Sequence, residues 1–217
     1  MNLLEIIGPV MVGPSSSHTL GAMRISKFVY SMMGAMPRTV QFFLHGSFAE
    51  TYRGHGTDKA LLAGIMGLRY DDERIKESYS LARMKRLEFS FEKTDLGAVH
   101  PNTVRIRAQW PGYENEVEGC SIGGGMIKIT KINGIDCDLS WRYDTLIIVN
   151  KDEPGALSKI LSRVNTNIAN LYLRRMNLLQ SKALTIIELD SPIERSSDLL
   201  KVDSVLECYF VPKDDFV

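Results

Sequence analysis

Apolar and polar positions change their spacing several times along the chain, and each change predicts a different element. Between residues 20 and 34 the apolar side chains recur at helical spacing and stop at Gly34, which indicates a helix with a glycine C-cap. Residues 39–45 form a short segment rich in residues that favour β-structure, which predicts a strand. A second helical pattern covers residues 59–69, and Thr57 with Asp58 supplies side chains suited to its N-cap. We therefore expect the order helix, strand, loop, helix.

Beyond this region apolar and polar residues alternate, as they do in strands with one buried face. Residues 87–91, 104–110 and 126–132 are expected to form antiparallel strands. After residue 141 the pattern becomes strand, helix, strand, strand, weak helix, strand, which is the βαββαβ order of ferredoxin-like domains. The prediction is an α+β protein with one domain over residues 1–142 and another over residues 143–217.

Composition excludes several classes of partner. The 217 residues carry 26 basic and 26 acidic side chains, and no basic stripe is interleaved with aromatic residues, so nucleic acid is not an expected partner. The N-terminal segment contains Glu5 and lacks a positively charged start, which argues against a secretory signal. No apolar run is long enough to cross a bilayer. A cytoplasmic protein without membrane contact is expected.

The cysteines and histidines do not follow metal-binding spacing. Three cysteines, Cys120, Cys137 and Cys208, lie far apart and are expected to be reduced, buried thiols. The four histidines are too dispersed for a zinc signature, so a metal bound by this chain alone is not expected. The G-x-S-x-G and G-x-G-x-x-G motifs are also absent.

The segment before the first predicted helix is the first candidate site. It combines three serines, a histidine and a threonine: Ser15, Ser16, Ser17, His18 and Thr19. Hydroxyl groups together with the free amides of a helix N-terminus suit a small carboxylate. A serine-rich N-cap with an incidental histidine explains the same residues, and the two interpretations weigh about equally on composition.

A second candidate site lies before the next predicted helix. His55 stands between Gly54 and Gly56, followed by Thr57 and Asp58. Glycines leave the imidazole uncovered, and histidine titrates near neutrality, as a proton-transfer group must. A flexible loop with an exposed histidine is the alternative. Because two histidines each precede a helix, a shared pocket is a reasonable expectation.

A third, weaker candidate combines His100 and Asn102 with Gly123, Gly124 and Gly125. Consecutive glycines can present several amides to an anion. They can equally form a bulge or a hairpin turn, and both interpretations stay open.

Five motifs, in this order, resemble the beta domain of bacterial iron–sulfur L-serine dehydratases, which is itself similar to allosteric substrate-binding domains. They are Gly13-Pro-Ser-Ser-Ser-His-Thr, His45-Gly-Ser-Phe-Ala-Glu-Thr, Gly54-His-Gly-Thr-Asp, His100-Pro-Asn-Thr and Ser121-Ile-Gly-Gly-Gly. The last third of the chain resembles an ACT domain, through Asp152-Glu153-Pro154-Gly155-Ala156-Leu157 and Asn167-Ile168-Ala169-Asn170. Together the two resemblances cover nearly the whole chain.

The resemblance implies conversion of L-serine to pyruvate and ammonia, with His18 and His55 as the acid–base pair. It implies that substrate is bound by Ser15, Ser16, Ser17, Thr19, Thr57, Asp58, His100, Asn102 and Gly123 to Gly125. Since this chain lacks a cluster-binding cysteine set, the two-chain form is implied, in which a separate alpha subunit holds a [4Fe–4S] cluster. The ACT resemblance implies a homodimer and an amino-acid effector bound by residues 152–157 and Asn170.

Two other functions stay open at this point. The chain could be a non-catalytic amino-acid sensor, which needs amides and charge complementarity but not two titratable groups. It could also be a structural partner that only stabilises another subunit.

Overall fold

The computed structural model describes residues 13–177, 181–193 and 196–214, which divide into two compact units, 13–140 and 141–214. Both units are mixed α and β, so the predicted α+β class is confirmed. Within the described residues, no helix is both long and apolar enough to cross a membrane.

The first unit contains four short α-helices and a six-stranded sheet. A π-helical turn, Ser16–Gly21, precedes the helices, which are α1 (Ala22–Met33), α2 (Gly46–Thr51), α3 (Thr57–Ile65) and α4 (Ser78–Met84, after a 3-10 turn at Glu73–Glu77). The strands are β1 (Thr39–Leu44), β2 (Glu88–Lys93), β3 (Thr103–Trp110), β4 (Tyr113–Gly123), β5 (Met126–Ile132) and β6 (Ile135–Leu139). Their order in the sheet is β2-β1-β3-β4-β5-β6.

Glycine allows α1 and α3 to pack closely. A Cβ added at Gly64 in α3 would lie 2.3 Å from the carbonyl oxygen of Met23 in α1. The hydroxyl of Ser26 donates to the carbonyl of Leu61 at 2.5 Å across the same contact. Fully buried side chains such as Phe28 and Ile65 complete the core on this side of the sheet. The close contact therefore joins the first half of α1 to the second half of α3.

One face of the β3–β4 hairpin carries polar pairs instead of apolar side chains. The pairs lie in register across the two strands: Arg105–Glu118 at 2.8 Å, Arg107–Glu116 at 2.8 Å and Gln109–Glu114 at 2.5 Å. Opposite charges directly across an antiparallel pair stabilise it. This explains why acidic residues alternate through β4, a strand that the apolar pattern did not predict.

The first unit differs from the predictions at three further points. β2 pairs with β1 in parallel, not antiparallel, because the helices between them form the crossover that a parallel pair requires. α3 begins at Thr57 with Gly56 as its N-cap, and it ends at Ile65 before Gly67, whose φ of 75° breaks the helix. The sequence patterns also missed α2, α4 and β6.

The second unit has the predicted βαββαβ order. Its elements are β7 (Asp144–Lys151), α5 (Ala156–Leu161), β8 (Ile168–Asn177), β9 (Lys182–Leu189), a 3-10 turn (Ser196–Lys201) and β10 (Val205–Val211). The antiparallel sheet has the order β10-β7-β9-β8, so β8 and β10 are edge strands. Its core is formed by Leu146, Ile148, Ile160, Ile187, Leu189, Leu199, Val202 and Val205.

Candidate active site

The loop that carries His18 folds into a π-helical turn that leads directly into α1. Ser15 caps this turn: its hydroxyl oxygen accepts a hydrogen bond from the His18 amide at 3.1 Å, and its carbonyl accepts one from the Thr19 amide at 2.9 Å. Ser16 is exposed and Ser17 is half-buried. Single π-helical turns are rare and occur frequently at functional sites.

Two glycines allow this turn to approach its surroundings closely. A Cβ added at Gly13, where φ is 147°, would lie 2.3 Å from a Thr19 side-chain carbon. A Cβ added at Gly21 would lie 2.1 Å from the hydroxyl oxygen of Ser121 in β4. That Ser121 oxygen is buried and has no hydrogen-bond partner among the described residues. The position of His18 therefore depends on glycines that a sequence pattern alone would assign to flexibility.

His18 and His55 lie side by side. Their ring centroids are 4.9 Å apart and the ring planes are inclined by 59°. His18 is half-buried against the edge of Phe48, 5.5 Å away, whereas His55 is exposed. The Nε2 atom of His18 is 2.9 Å from the hydroxyl oxygen of Ser47, at the start of α2. The expected pairing of the two histidines in space is observed.

Thr19 joins the two histidine loops. Its buried hydroxyl donates to the main-chain carbonyl of His55 at 2.9 Å. After His55, Gly56 adopts a left-handed conformation with φ of 68° and serves as the N-cap of α3. Thr19 and Ser15 therefore orient the histidines, which leaves Ser16 and Ser17 as the serines with side chains available to a ligand.

The environment of His18 favours its neutral form. Burial of the ring, and then the charge of His55 beside it, lower the pKa of His18 from its usual 6.5. A neutral imidazole carries one N–H and one lone pair, so it can accept a proton at neutral pH.

Thr57 and Asp58 are buried at the start of α3. The Thr57 hydroxyl has no hydrogen-bond partner within the described residues. One Asp58 carboxylate oxygen accepts from the Tyr79 hydroxyl at 2.8 Å, and the other accepts from the Lys59 amide at 2.8 Å. Burial, and then the hydrogen bond to Asp58, raise the pKa of Tyr79. The Asp58 carboxylate thus links α3 to α4, a contact that no sequence pattern at Tyr79 predicted.

The third candidate cluster lies at the ends of β3 and β4. His100 is exposed, and its Nδ1 accepts from the Asn102 amide at 3.1 Å. The Asn102 carbonyl accepts from the Ser121 amide at 3.0 Å, which connects this loop to β4 next to the π-helical turn.

The three glycines form the hairpin turn between β4 and β5. Gly123, Gly124 and Gly125 all have positive φ, at 103°, 58° and 78°. The carbonyl of Gly125 accepts a hydrogen bond from the buried Arg24 guanidinium at 2.8 Å, which fixes the turn to α1. The glycines therefore form a hairpin turn, and binding of an anion by their amides stays a prediction. Arg24, Ser47 and Phe48 are neighbours of the site that sequence reasoning missed.

The described residues do not fit an iron–sulfur cluster. In residues 13–177, 181–193 and 196–214 there is no group of three or more His, Cys, Asp or Glu side chains placed to hold a metal ion. The three cysteines are free, with Cys120 buried but Cys137 and Cys208 only half-buried. Burial raises the pKa of Cys208 to about 11 and also raises that of Cys120, which disfavours the thiolate that a metal requires.

The second unit contains a cleft of about 680 Å³ beside the turn after β7. Its walls are Asn150, Lys151, Asp152, Glu153, Gly155, Ala156, Leu157, Ser158, Leu161, Ser162, Leu173 and Ala183. Most of the predicted effector segment therefore lines a cavity. Pro154 and Asn170 are not part of the wall. Asn170 instead donates to Glu188 at 2.8 Å, at the end of the sheet where β7 begins, because the register of β8 places it there.

Comparison with known proteins gives consistent matches. A family model described as serine dehydratase beta chain matches residues 5–88. The L-serine dehydratase beta chain of Peptoniphilus asaccharolyticus is 43% identical over 197 residues, covering 88% of each protein. The probable L-serine dehydratase beta chain of Bacillus subtilis is 37% identical, covering 95% of this chain and 96% of that one. The L-serine dehydratase TdcG of Escherichia coli is 28% identical over 79% of this chain, which corresponds to 42% of that protein.

Proposed function

The chain belongs to the serine dehydratase beta-chain family, and from this membership we propose that it is the beta subunit of an L-serine ammonia-lyase. The enzyme would convert L-serine to pyruvate and ammonia. The observation that carries the proposal is the pair of imidazole rings with centroids 4.9 Å apart, one half-buried with a lowered pKa and one exposed. Proton-transfer chemistry requires such groups, whereas simple ligand recognition does not.

The reaction removes the α-proton of serine and expels its β-hydroxyl group, and the resulting enamine tautomerises and hydrolyses. His18 and His55 act as the acid–base pair of these proton transfers. Ser16 and Ser17, with the amides of the turn before α1, bind the substrate carboxylate. Ser15 and Thr19 hold the two histidine loops in place through their hydrogen bonds. Thr57, Asp58, His100 and Asn102 form the more distant wall of the same pocket.

We propose that a [4Fe–4S] cluster is carried by a separate alpha subunit, with which this chain forms a heteromeric enzyme. The beta-chain names of the two relatives that this chain matches along most of their length support a second chain. The absence of a metal-binding group from the described part of the chain agrees with a cluster held by the partner. A cytoplasmic location stays a prediction.

The test is a comparison of the chain with and without its alpha-type partner. We expect the chain purified alone, without oxygen, to be colourless and to form no pyruvate from L-serine. Addition of the anaerobically prepared partner should produce activity. Stoichiometric iron and sulfide in the single chain, or pyruvate formation by it alone, would contradict the proposal.

For the second unit we propose an ACT domain that binds a small amino acid in the cleft beside Gly155. Support comes from the βαββαβ order, the volume of about 680 Å³ and the polar and charged groups from Asn150 to Glu153 at its wall. Asn170 is not retained as a ligand residue. Calorimetry of the full chain against the common amino acids, serine included, tests this binding. No heat at millimolar concentration would contradict it.

We also propose that the chain forms a homodimer through β8. This edge strand is ten residues long and exposes Leu171 and Leu173, and unpaired edges of that kind associate readily. Sedimentation of the chain should give a dimer, and Leu171→Lys should shift it toward the monomer. A monomeric wild-type chain at micromolar concentration would contradict this arrangement.

The beta-chain relatives favour the enzyme over the amino-acid sensor. The structural-partner alternative predicts something different for His18→Ala: lower stability of the complex with unchanged turnover. Measuring both quantities in the same variant separates the two interpretations.

A further inference from the structure

The hydroxyl of Ser47 is the one side-chain hydrogen-bond partner that the described residues offer to the His18 ring, and it meets the ring at Nε2. The amide of His18 is used separately, since it donates to Ser15. Among the described residues no hydrogen bond reaches Nδ1. Within the described residues, the two ring nitrogens therefore differ: Nε2 is held by Ser47, and Nδ1 has no hydrogen-bond partner.

We propose that Ser47 is a positioning residue that holds His18 through Nε2, so that Nδ1 is the nitrogen that exchanges a proton with the substrate. This inference rests on the proposed function, since it concerns the same pair of histidines. Ser47 does not touch the substrate in this scheme and acts only through the ring.

The direction of the hydrogen bond follows from the proton balance. If Nδ1 takes up a proton, the ring becomes an imidazolium in which Nε2 also carries hydrogen and must donate. If Nδ1 then releases the same proton, a neutral ring remains with hydrogen at Nε2. An Nε2–H that donates to the Ser47 oxygen in both states needs no rearrangement between them. Because a hydrogen bond from a charged donor is stronger than one from a neutral donor, Ser47 favours the protonated ring.

The surroundings of the ring make this effect measurable. Burial and the charge of His55 lower the pKa of His18, and His55 is the ionisable group whose charge acts on it. The neighbours on α2, Ser47 and Phe48, are uncharged. Removal of the Ser47 oxygen should therefore lower the pKa of His18 further, because the imidazolium loses its acceptor.

Position 47 offers a pair of variants for the test. Ser47→Ala removes the hydroxyl, whereas Ser47→Thr keeps one at the same place. The half-buried Ser31 of α1 lies outside the site, and Ser31→Ala controls for loss of a helical serine. The ring resonances of His18 are followed by NMR as the full chain is titrated with acid, and kcat and KM are measured after the alpha partner is added.

We expect the pKa of His18 to fall by roughly half a unit in Ser47→Ala and to return in Ser47→Thr. We expect kcat to fall roughly tenfold in Ser47→Ala with KM within about twofold, and the threonine variant to recover it. An unchanged or raised pKa in Ser47→Ala, or a loss of kcat that threonine does not rescue, would overturn the proposal. Because the titration needs no turnover, an inactive wild-type complex would contradict the proposed function while the contact at Nε2 is still tested.

Discussion

The two units use their loops in different ways. In the first unit, two glycine-containing loops bring two imidazole rings together, and the pKa of one ring is lowered by its surroundings. In the second unit, the loop after β7 forms part of the wall of a cleft. Its acidic side chains form ion pairs: Arg175 pairs with Asp152, and Lys159 lies 3.9 Å from Glu153. The first arrangement can move protons and the second can hold a ligand. The two units thus carry different proposed roles, proton transfer in the first and ligand binding in the second.

The largest expected effect is the removal of either imidazole. His18→Ala and His55→Ala in the reconstituted enzyme should each lower kcat by about 10²-fold or more, the usual scale for losing a general acid or base. The double variant should be little worse than the single ones, because groups that act as a unit are not additive. Steady-state pyruvate formation gives kcat and KM for the single variants and for the double variant. A change confined to KM would instead assign a binding role to the two histidines.

The next effect tests the contact between α1 and α3 in the first unit. Gly64→Ala should destabilise the chain by about 1–3 kcal/mol, because its Cβ would press on the main chain of α1 at Met23. Gly54→Ala is the matched control, since its Cβ would meet nothing closer than 3.7 Å. Urea unfolding of both variants measures the difference. Equal urea midpoints for the two variants would mean that α1 and α3 can move apart without loss of unfolding free energy.

A smaller effect is expected at the cleft of the second unit. Gly155→Phe should weaken effector binding by about tenfold or more, because the side chain would occupy space now open. Gly155→Ala carries the same strain from φ of 84° without the bulk, so it separates backbone strain from filling of the cleft. Calorimetry with the amino acid that binds the wild type is the measurement. Equal losses in both variants would assign the effect to the backbone.

The smallest effect is a dependence of stability on pH that belongs to the first unit. Because the pKa of folded His18 lies below its usual 6.5, the unfolded chain binds more protons between these two values. The contribution of His18 to the free energy of unfolding is therefore fully present above pH 6.5, and it is lost as the pH falls through the pKa of the folded state. His18→Gln should flatten this part of the curve. Urea unfolding at a series of pH values compares the two chains, and parallel curves would contradict the lowered pKa.

The proximity of His18 and His55 was predicted from the sequence, whereas several elements around them were not. His18 and His55 were identified because each stands among small polar residues or glycines before a helix, and that local chemistry needs no tertiary information. Ser47 was not identified, although it lies in a quoted motif, because its contact with His18 spans 29 positions along the chain. Tyr79 was missed for the same reason, since its role depends on where α4 packs.

The errors in the strands have a physical cause. β4 was not predicted because its polar face does not simply contact solvent. Glu116 and Glu118 on that face form ion pairs with arginines of β3. β2 was wrongly expected to be antiparallel. The direction of a strand depends on the connection that precedes it, and the alternation of apolar and polar residues carries no information about that connection. The second unit was predicted more closely, since its elements follow the βαββαβ order, a known supersecondary arrangement.

The ladder of charges between β3 and β4 has a consequence for how the hairpin finds its alignment. Arg105 also lies 3.8 Å from Glu116, one pair away from its main partner. Arg107 is likewise 3.8 Å from Glu114. If β3 shifted by two residues relative to β4, arginines would still face glutamates and the same side chains would still point outward. The charge pairs alone therefore do not distinguish the two registers. The short turn at residues 111–112 must therefore select the alignment, and lengthening it would allow a second, shifted population of the hairpin to compete.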